Sequence, residues 1–92
     1  MIKLLQSIMN NARISGLKKD DILNAEEFLK YNELGLCLDT IITQLHEDNI
    51  IISKDLYNLI DKAAKEMNIP LEDYSFLNDN ITEDIQDGMI MK

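Results

Sequence analysis

The strongest helical pattern in this sequence lies in residues 33–47, which read ELGLCLDTIITQLHE. Four apolar side chains recur there at i, i+4, i+7 and i+11, a spacing that brings them onto one face of an α-helix: Leu34, Leu38, Ile41 and Leu45. Three more widen that face: Leu36, Cys37 and Ile42. A face this broad predicts a buried central helix from about Glu33 to Glu47. Gly35, near its start, is expected to let a neighbouring backbone come close, because glycine has no Cβ atom.

The residues before this segment predict two more helices. The first carries the apolar stripe Ile2, Leu5, Met9 and Ala12. It ends at Gly16, a residue suited to the left-handed conformation that closes many helices. The second begins at Asp20 or Asp21, whose carboxylates would accept hydrogen bonds from free backbone amides, and ends near Asn32. Its stripe is Ile22, Ala25, Phe28 and Leu29.

A fourth helix is predicted after the central one. Residues 49–52, NIII, are β-prone, and we interpret them as a connector laid across the core rather than as a strand. Ser53 then caps the fourth helix. Its apolar stripe is Leu56, Ile60, Ala63 and Met67. On the opposite face, Asp61 and Lys65 form an i, i+4 pair of opposite charge.

The C-terminal third predicts shorter elements. Pro70 can open a short turn of helix over residues 71–77. Asn80 and Glu83 have the spacing of a capping box, which would begin a final helix over residues 81–88. The fold class predicted is therefore all-α, a small antiparallel bundle of four to five helices in a single domain over residues 1–92. Helix four is expected behind the hairpin of helices two and three, and residues 78–92 are expected to fray.

The composition of the chain limits which partners and which cellular compartment we expect. The chain has 92 residues and a formal net charge of −8, with 9 Lys and Arg against 17 Asp and Glu. Nucleic acids and anionic membranes are polyanions, so we expect neither as a direct partner and favour a basic one. No apolar run approaches the ~20 residues that span a bilayer, and the N-terminus is too polar for a secretory signal. A single cysteine excludes an internal disulfide and suits the cytoplasm.

The residues that could support catalysis or metal binding are few. Cys37 is the only cysteine and His46 the only histidine. Nine positions of one helix separate them, which places them on opposite sides of the rod and prevents a nucleophile–base pair. Zinc would need more such ligands, and an EF-hand reading fails because Ile81 stands at the third ligand position. We therefore expect neither an enzyme nor a cofactor, and interpret Cys37 as a core residue.

Acidic side chains gather in the second and third helices. Residues 1–19 hold four basic side chains and no acidic one, whereas residues 20–48 hold eight acidic side chains and one basic. The acids that avoid the apolar stripes should face solvent: Glu26, Glu27, Glu33, Asp39, Glu47 and Asp48. Such charge either serves solubility or steers a basic partner into contact, and charge alone favours solubility.

A family resemblance favours the second reading. Residues 28–45, FLKYNELGLCLDTIITQL, resemble the central helical hairpin of small bacterial immunity proteins of the MafI and contact-dependent growth-inhibition kind. In that pattern a helix ends at a polar turn, a Glu and a Gly follow, here Glu33 and Gly35, and a Leu-rich helix closes on a Leu-x-Glu-like triplet. The resemblance covers about residues 20–77. The chain departs from the pattern at Cys37, where Ala is commoner, and in its Ile-rich connector.

The resemblance implies a cytoplasmic antidote that binds the C-terminal domain of a cognate toxin, often a basic nuclease, and blocks its active site without turnover. We expect the toxin to contact acidic residues and one aromatic: Asp39, Glu47, Asp48, Glu72, Asp73 and Tyr74. Tyr31 and Tyr57 are alternative anchors, although Tyr57 borders the core stripe. Exosite binding and a weak homodimer stay open.

A second class of function is also open. The chain could be a helical adaptor or regulator that docks a partner helix through an apolar groove. Residues 89–91, MIM, and the stripe Ile81, Ile85 and Met89 could then form a docking or dimerisation element; the alternative is that they cover the core of the bundle itself. Salt separates the two classes, because charge-steered binding weakens as ionic strength rises and apolar docking does not.

Overall fold

The computed structural model describes residues 1–81, and these form the predicted all-α bundle. The four α-helices are α1 (Ile2–Ser15), α2 (Lys19–Lys30), α3 (Leu34–Glu47) and α4 (Lys54–Glu66). Two 3-10 helices follow them, Leu71–Asp73 and Ser75–Asn80. Over the described range, β-type pairing is limited to one isolated parallel bridge between Ile52 and Ile81. The fold class is thus confirmed; of the helix predicted over 81–88, Ile81 is extended and the other positions lie outside the described residues.

All four α-helices end in the same way. A residue with positive φ follows each helix within two positions: Gly16 (118°), Asn32 (61°), Asn49 (52°) and Asn68 (59°). After α3, the Asn49 amide donates to the His46 carbonyl at 3.1 Å and the Ile50 amide donates to the Leu45 carbonyl at 3.0 Å. This is the Schellman pattern, and asparagine enters the left-handed region more readily than other residues with a side chain. The predicted helix ends near Gly16 and Asn32 are confirmed.

The helix starts agree less uniformly with the sequence. Ser53 caps α4 as predicted, because its hydroxyl accepts a hydrogen bond from the Leu56 amide at 3.0 Å. The predicted start of α2 at Asp20 or Asp21 is wrong. That helix begins at Lys19, after an extended Lys18 with no capping side chain. The two aspartates occupy the first turn instead, where negative charge still favours the helix dipole.

One hydrophobic cluster joins the four helices. The α2–α3 hairpin has the most extensive packing, and α1 packs against α2, α3 and α4. We expected α4 behind the hairpin; α4 packs mainly on α1, which itself packs on both helices of the hairpin. The buried side chains contributed by the helices are Leu5, Ile8, Met9, Ala12, Ile22, Ala25, Cys37, Leu38, Ile41, Ile42, Leu45, Leu56, Tyr57, Ile60, Ala63 and Ala64.

Three details of the predicted core are wrong. Leu36 is 46% exposed, because it lies about 200° around the helix from the buried Leu38 and so faces outward. Ile2 is 47% exposed at the first position of α1, where the helix has barely begun to contact its neighbours. A Cβ atom on Gly35 would meet nothing within 4 Å, so no backbone approaches there. Met67, by contrast, packs against the core as predicted, although it lies just after α4 and is partly buried.

Residues 49–52 form a connector, as predicted, and the C-terminal segment holds it in place. Ile52 is buried and donates its amide to the Asn80 carbonyl at 2.8 Å. The Asn80 side-chain amide donates to the carbonyls of Leu45 at 3.2 Å and Ile50 at 2.9 Å. Asn80 therefore links the end of α3 to the connector. Residues 78–81, which we expected to fray, are tied to the core, and residues 82–92 lie outside the described part of the chain.

Candidate interaction surface

The outer face of α3 carries two of the predicted contact residues. Asp39 and Glu47 are both exposed, as their helical positions predicted. Leu36, Thr40 and Thr43 lie on the same side of the helix, because spacings of three and four residues return to one face. The predicted exposure of Asp39 and Glu47 is therefore confirmed, and a row of short polar side chains separates them.

A shallow groove runs between α2 and this face of α3. Its volume is about 370 Å³, and its lining residues are Asn24, Glu27, Phe28, Asp39, Thr40, Thr43 and Gln44. Glu27 on α2 and Asp39 on α3 bring negative charge to opposite walls, and the partly buried Phe28 contributes an apolar side chain. The groove thus offers carboxylates beside hydroxyl and amide groups that can donate or accept hydrogen bonds.

The tip of the α2–α3 hairpin presents two large side chains to solvent. Tyr31 is 63% exposed, and the Lys30 Nζ atom lies 5.8 Å from the centre of its ring. Leu36 stands on the first turn of α3. The left-handed Asn32 and the hydrogen bond from the Glu33 amide to the Phe28 carbonyl, at 2.9 Å, define the turn between them. We call the surface formed by Glu27, Tyr31, Leu36, Asp39, Thr43 and Glu47 the α2–α3 face.

Asp48 does not belong to this exposed face. Its side chain is only 24% exposed, and the Lys18 Nζ atom lies 4.0 Å from its Oδ2 atom. That oxygen is buried and has no hydrogen-bond partner among the described residues. The prediction that Asp48 faces solvent is wrong because the antiparallel hairpin brings the start of α2 to the end of α3. A lysine of the same chain already faces this carboxylate.

Glu72, Asp73 and Tyr74 lie on a different part of the molecule. Glu72 and Asp73 are exposed on the first 3-10 helix, but Tyr74 is only 1% exposed. The Tyr74 hydroxyl donates a hydrogen bond of 2.6 Å to Oδ1 of Asp61 on α4. Tyr74 therefore offers no anchor for a partner: the chain reverses around it so that its ring enters the core.

The contact between Tyr74 and Asp61 changes the acidity of both groups. Burial, followed by the hydrogen bond to the carboxylate, raises the pKa of Tyr74 to about 12. The same hydrogen bond, together with Lys65, lowers the pKa of Asp61. The Lys65 Nζ atom lies 3.0 Å from Asp61 Oδ2, so the predicted i, i+4 pair is confirmed. The sequence predicted the ion pair, but nothing in it indicated that a tyrosine thirteen positions away would donate a hydrogen bond to Asp61.

Two other aromatic contacts are structural. Tyr57 is 8% exposed and its ring lies 6.1 Å from that of Tyr74, so it belongs to the core rather than to a binding surface. The exposed His46 packs against Phe76, with ring centres 4.5 Å apart, and so joins α3 to the second 3-10 helix. Sequence reasoning did not identify Phe76, because nothing local relates it to a histidine thirty positions earlier.

Cys37 is fully buried, and burial raises the pKa of its thiol to about 11. The prediction that it is a core residue is confirmed. Within residues 1–81, no three His, Cys, Asp or Glu side chains group closely enough to hold a metal ion. No helix in that range has both the length and the apolar character needed to cross a membrane. In comparisons with known proteins, no family model, curated protein or solved structure matches the chain.

Proposed function

We propose that this chain is an immunity protein that binds the C-terminal domain of a cognate toxin, with nuclease as the favoured toxin class, and occludes its active site. The observation that carries the proposal is the α2–α3 face, where the exposed Glu27, Asp39 and Glu47 and the exposed Tyr31 belong to one helical hairpin. The resemblance of residues 28–45 to immunity-protein hairpins supports the same surface, because those residues form most of it. We place the protein in the cytoplasm, where such an antidote meets its toxin.

Electrostatics supplies the first step of the proposed inhibition. A nuclease cleft is lined with Lys and Arg because it must hold a polyanion. Glu27, Asp39 and Glu47 would attract such a cleft and speed the encounter, since complementary charge acts mainly on the association rate. A chain with a net charge of −8 adds a long-range field of the same sign.

Tyr31 supplies the second step. Interface energy concentrates in a few residues that become fully desolvated, and tyrosine is enriched among them. The ring of Tyr31 projects from a turn that backbone hydrogen bonds define, so little backbone freedom is lost when the ring is buried. Leu36 beside it adds apolar area. Binding then excludes substrate by bulk, and no chemical step on the immunity protein is required.

The test measures association with the C-terminal domain of the cognate toxin, which is to be sought in the gene next to this one. The variant D39K/E47K should slow association about ten-fold or more at low salt and change dissociation less. The variant E72K/D73K is the matched control, because it changes the net charge by the same amount on exposed residues outside the α2–α3 face. Its association should fall much less, and toxin activity should remain inhibited.

A second variant tests the anchor. Y31A should raise the dissociation rate about 30-fold or more, the size of a typical interface hot spot. Equal effects of the two double charge variants would remove the α2–α3 face from the proposal. Binding that is insensitive to salt would favour the adaptor alternative. One residue of the docking stripe in that alternative is not exposed, because Ile81 is buried in the core of this chain.

A further inference from the structure

A second groove lies on the other side of α2, against α1. Two adjoining cavities of about 410 and 350 Å³ form it, and they share Arg13, Ile22 and Glu26. The apolar side chains along it are Met9, Leu17, Ile22, Leu23 and Leu29. Leu23 is 49% exposed at the edge of the groove. The groove therefore has apolar side chains along its base and one apolar side chain that projects from its edge.

The walls of this groove carry charges of opposite sign. Arg13 stands on α1 and Glu26 on α2, and both line the two cavities. The hydrogen bond of the Arg13 guanidinium is to Asn10 Oδ1. No ion pair joins Arg13 to Glu26 in the described part of the chain. The two charges are therefore available to partners outside the chain, and a surface that bears both signs can complement itself.

Net charge restricts where two copies can meet. Each carries a formal charge of −8, so acidic surfaces repel one another. Of the four basic side chains in the first 19 residues, Arg13 on α1 and Lys19 at the start of α2 line this groove beside Glu26. A contact through α1 and α2 would thus pair unlike charges, whereas a contact through the α2–α3 faces would pair like charges.

We propose that the α1–α2 groove is the contact surface of a homodimer. In a two-fold symmetric contact the same patch serves both copies, so each Leu23 would enter the groove of the other copy. Arg13 of each copy would then face Glu26 of the other. Lys19, which also lines the groove, would add a second positive charge near the same carboxylate.

The proposed dimer leaves the α2–α3 face free. Asn24, Glu27 and Phe28 line the groove toward α3, while Ile22 and Glu26 line the groove toward α1. One side of α2 would therefore contact the toxin, and the opposite side would contact the second copy of the chain. This inference does not depend on the proposed function, because self-association is measured without any toxin.

Charge exchange between two variants tests the symmetry of the contact. Sedimentation velocity on the full chain, from roughly 10 μM to 1 mM, should show a monomer–dimer equilibrium for the unaltered protein. R13E would place two acids against each other, and E26R would place two arginines together, so each variant alone should dimerise at least about ten-fold more weakly. An equimolar mixture of the two restores both opposite-charge pairs and should dimerise again.

An apolar variant provides the second measurement. L23E should be monomeric over the same range, because it places a carboxylate in an apolar groove. I51E is the matched control, since Ile51 is 60% exposed on the connector and lies outside the groove. It should dimerise like the unaltered protein. A monomer at every concentration, a mixture that fails to associate, or equal effects of L23E and I51E would each overturn the proposal.

Discussion

Replacing Tyr74 with phenylalanine isolates the contact between the 3-10 segment and α4. The substitution keeps the ring in the core and removes only the hydroxyl group that donates to Asp61 at 2.6 Å. A hydrogen bond to a charged acceptor contributes roughly 1.5–3 kcal/mol. The Asp61 side chain is 26% exposed and keeps Lys65 at 3.0 Å, so water and the lysine replace part of the lost interaction. We therefore expect Y74F to lower the free energy of unfolding by about 1–2 kcal/mol.

Urea denaturation and thermal melting measure this loss. For a domain of this size, each kcal/mol corresponds to about 4–8 °C in Tm, so Y74F should melt about 4–16 °C lower. A double-mutant cycle with D61A separates the bond from other effects of either change. The coupling energy between the two positions should be about 1–2 kcal/mol.

The pH dependence of the difference between the two proteins is the sharper test. The folded pKa of Tyr74 is raised to about 12, so its contribution is complete below the unfolded value near 10 and is lost as pH rises through about 12. The folded pKa of Asp61 is lowered, so its contribution is present above its unfolded value near 3.8 and is lost as pH falls through the folded value. The stability difference should therefore be flat at neutral pH and shrink at both ends.

Two results would refute this account. Y74F could be as stable as the unaltered protein at neutral pH, which would mean that the hydroxyl group makes no net contribution. The difference could also persist unchanged above pH 12, which would mean that it reflects packing of the ring rather than the hydrogen bond.

The remaining predictions concern the connector, a helix end and the buried thiol. N80A removes the side-chain donor to the carbonyls of Leu45 and Ile50. It should lower the free energy of unfolding in urea by about 1–2 kcal/mol, and an unchanged midpoint would contradict this. N49A places alanine at a φ of 52° and should lower the free energy of unfolding by about 1 kcal/mol, whereas N49G should be at least as stable as the unaltered protein. An equal loss of stability in both variants would show that the asparagine side chain, rather than the backbone conformation, is responsible. Cys37 should react with a thiol reagent at pH 8 only as the protein unfolds, because burial raises its pKa to about 11, and rapid reaction of the native protein would contradict its placement.

The corrections to the predicted contact residues share one cause. The exposure of Asp39 and Glu47 was predicted correctly, because it follows from their position relative to the apolar stripe of the same helix. Asp48 and Tyr74 depend on residues distant in the chain, Lys18 and Asp61. A charge or an aromatic ring next to a turn looks available in the sequence, and only its spatial neighbours decide whether it is exposed.

Local signals in the sequence determined the fold class, the C-terminal ends of the helices and the exposure of Asp39 and Glu47 on α3. Gly16, Asn32 and Ser53 act through backbone conformation and hydrogen bonds within one turn, so neighbouring residues suffice to predict them. Only the tertiary structure decided how α1 and α4 pack, how Asn80 joins the end of α3 to the connector, and which side of α2 faces each groove. Several of these contacts link residues 35 or more positions apart, and their geometry depends on how the helices pack together rather than on any short stretch of sequence.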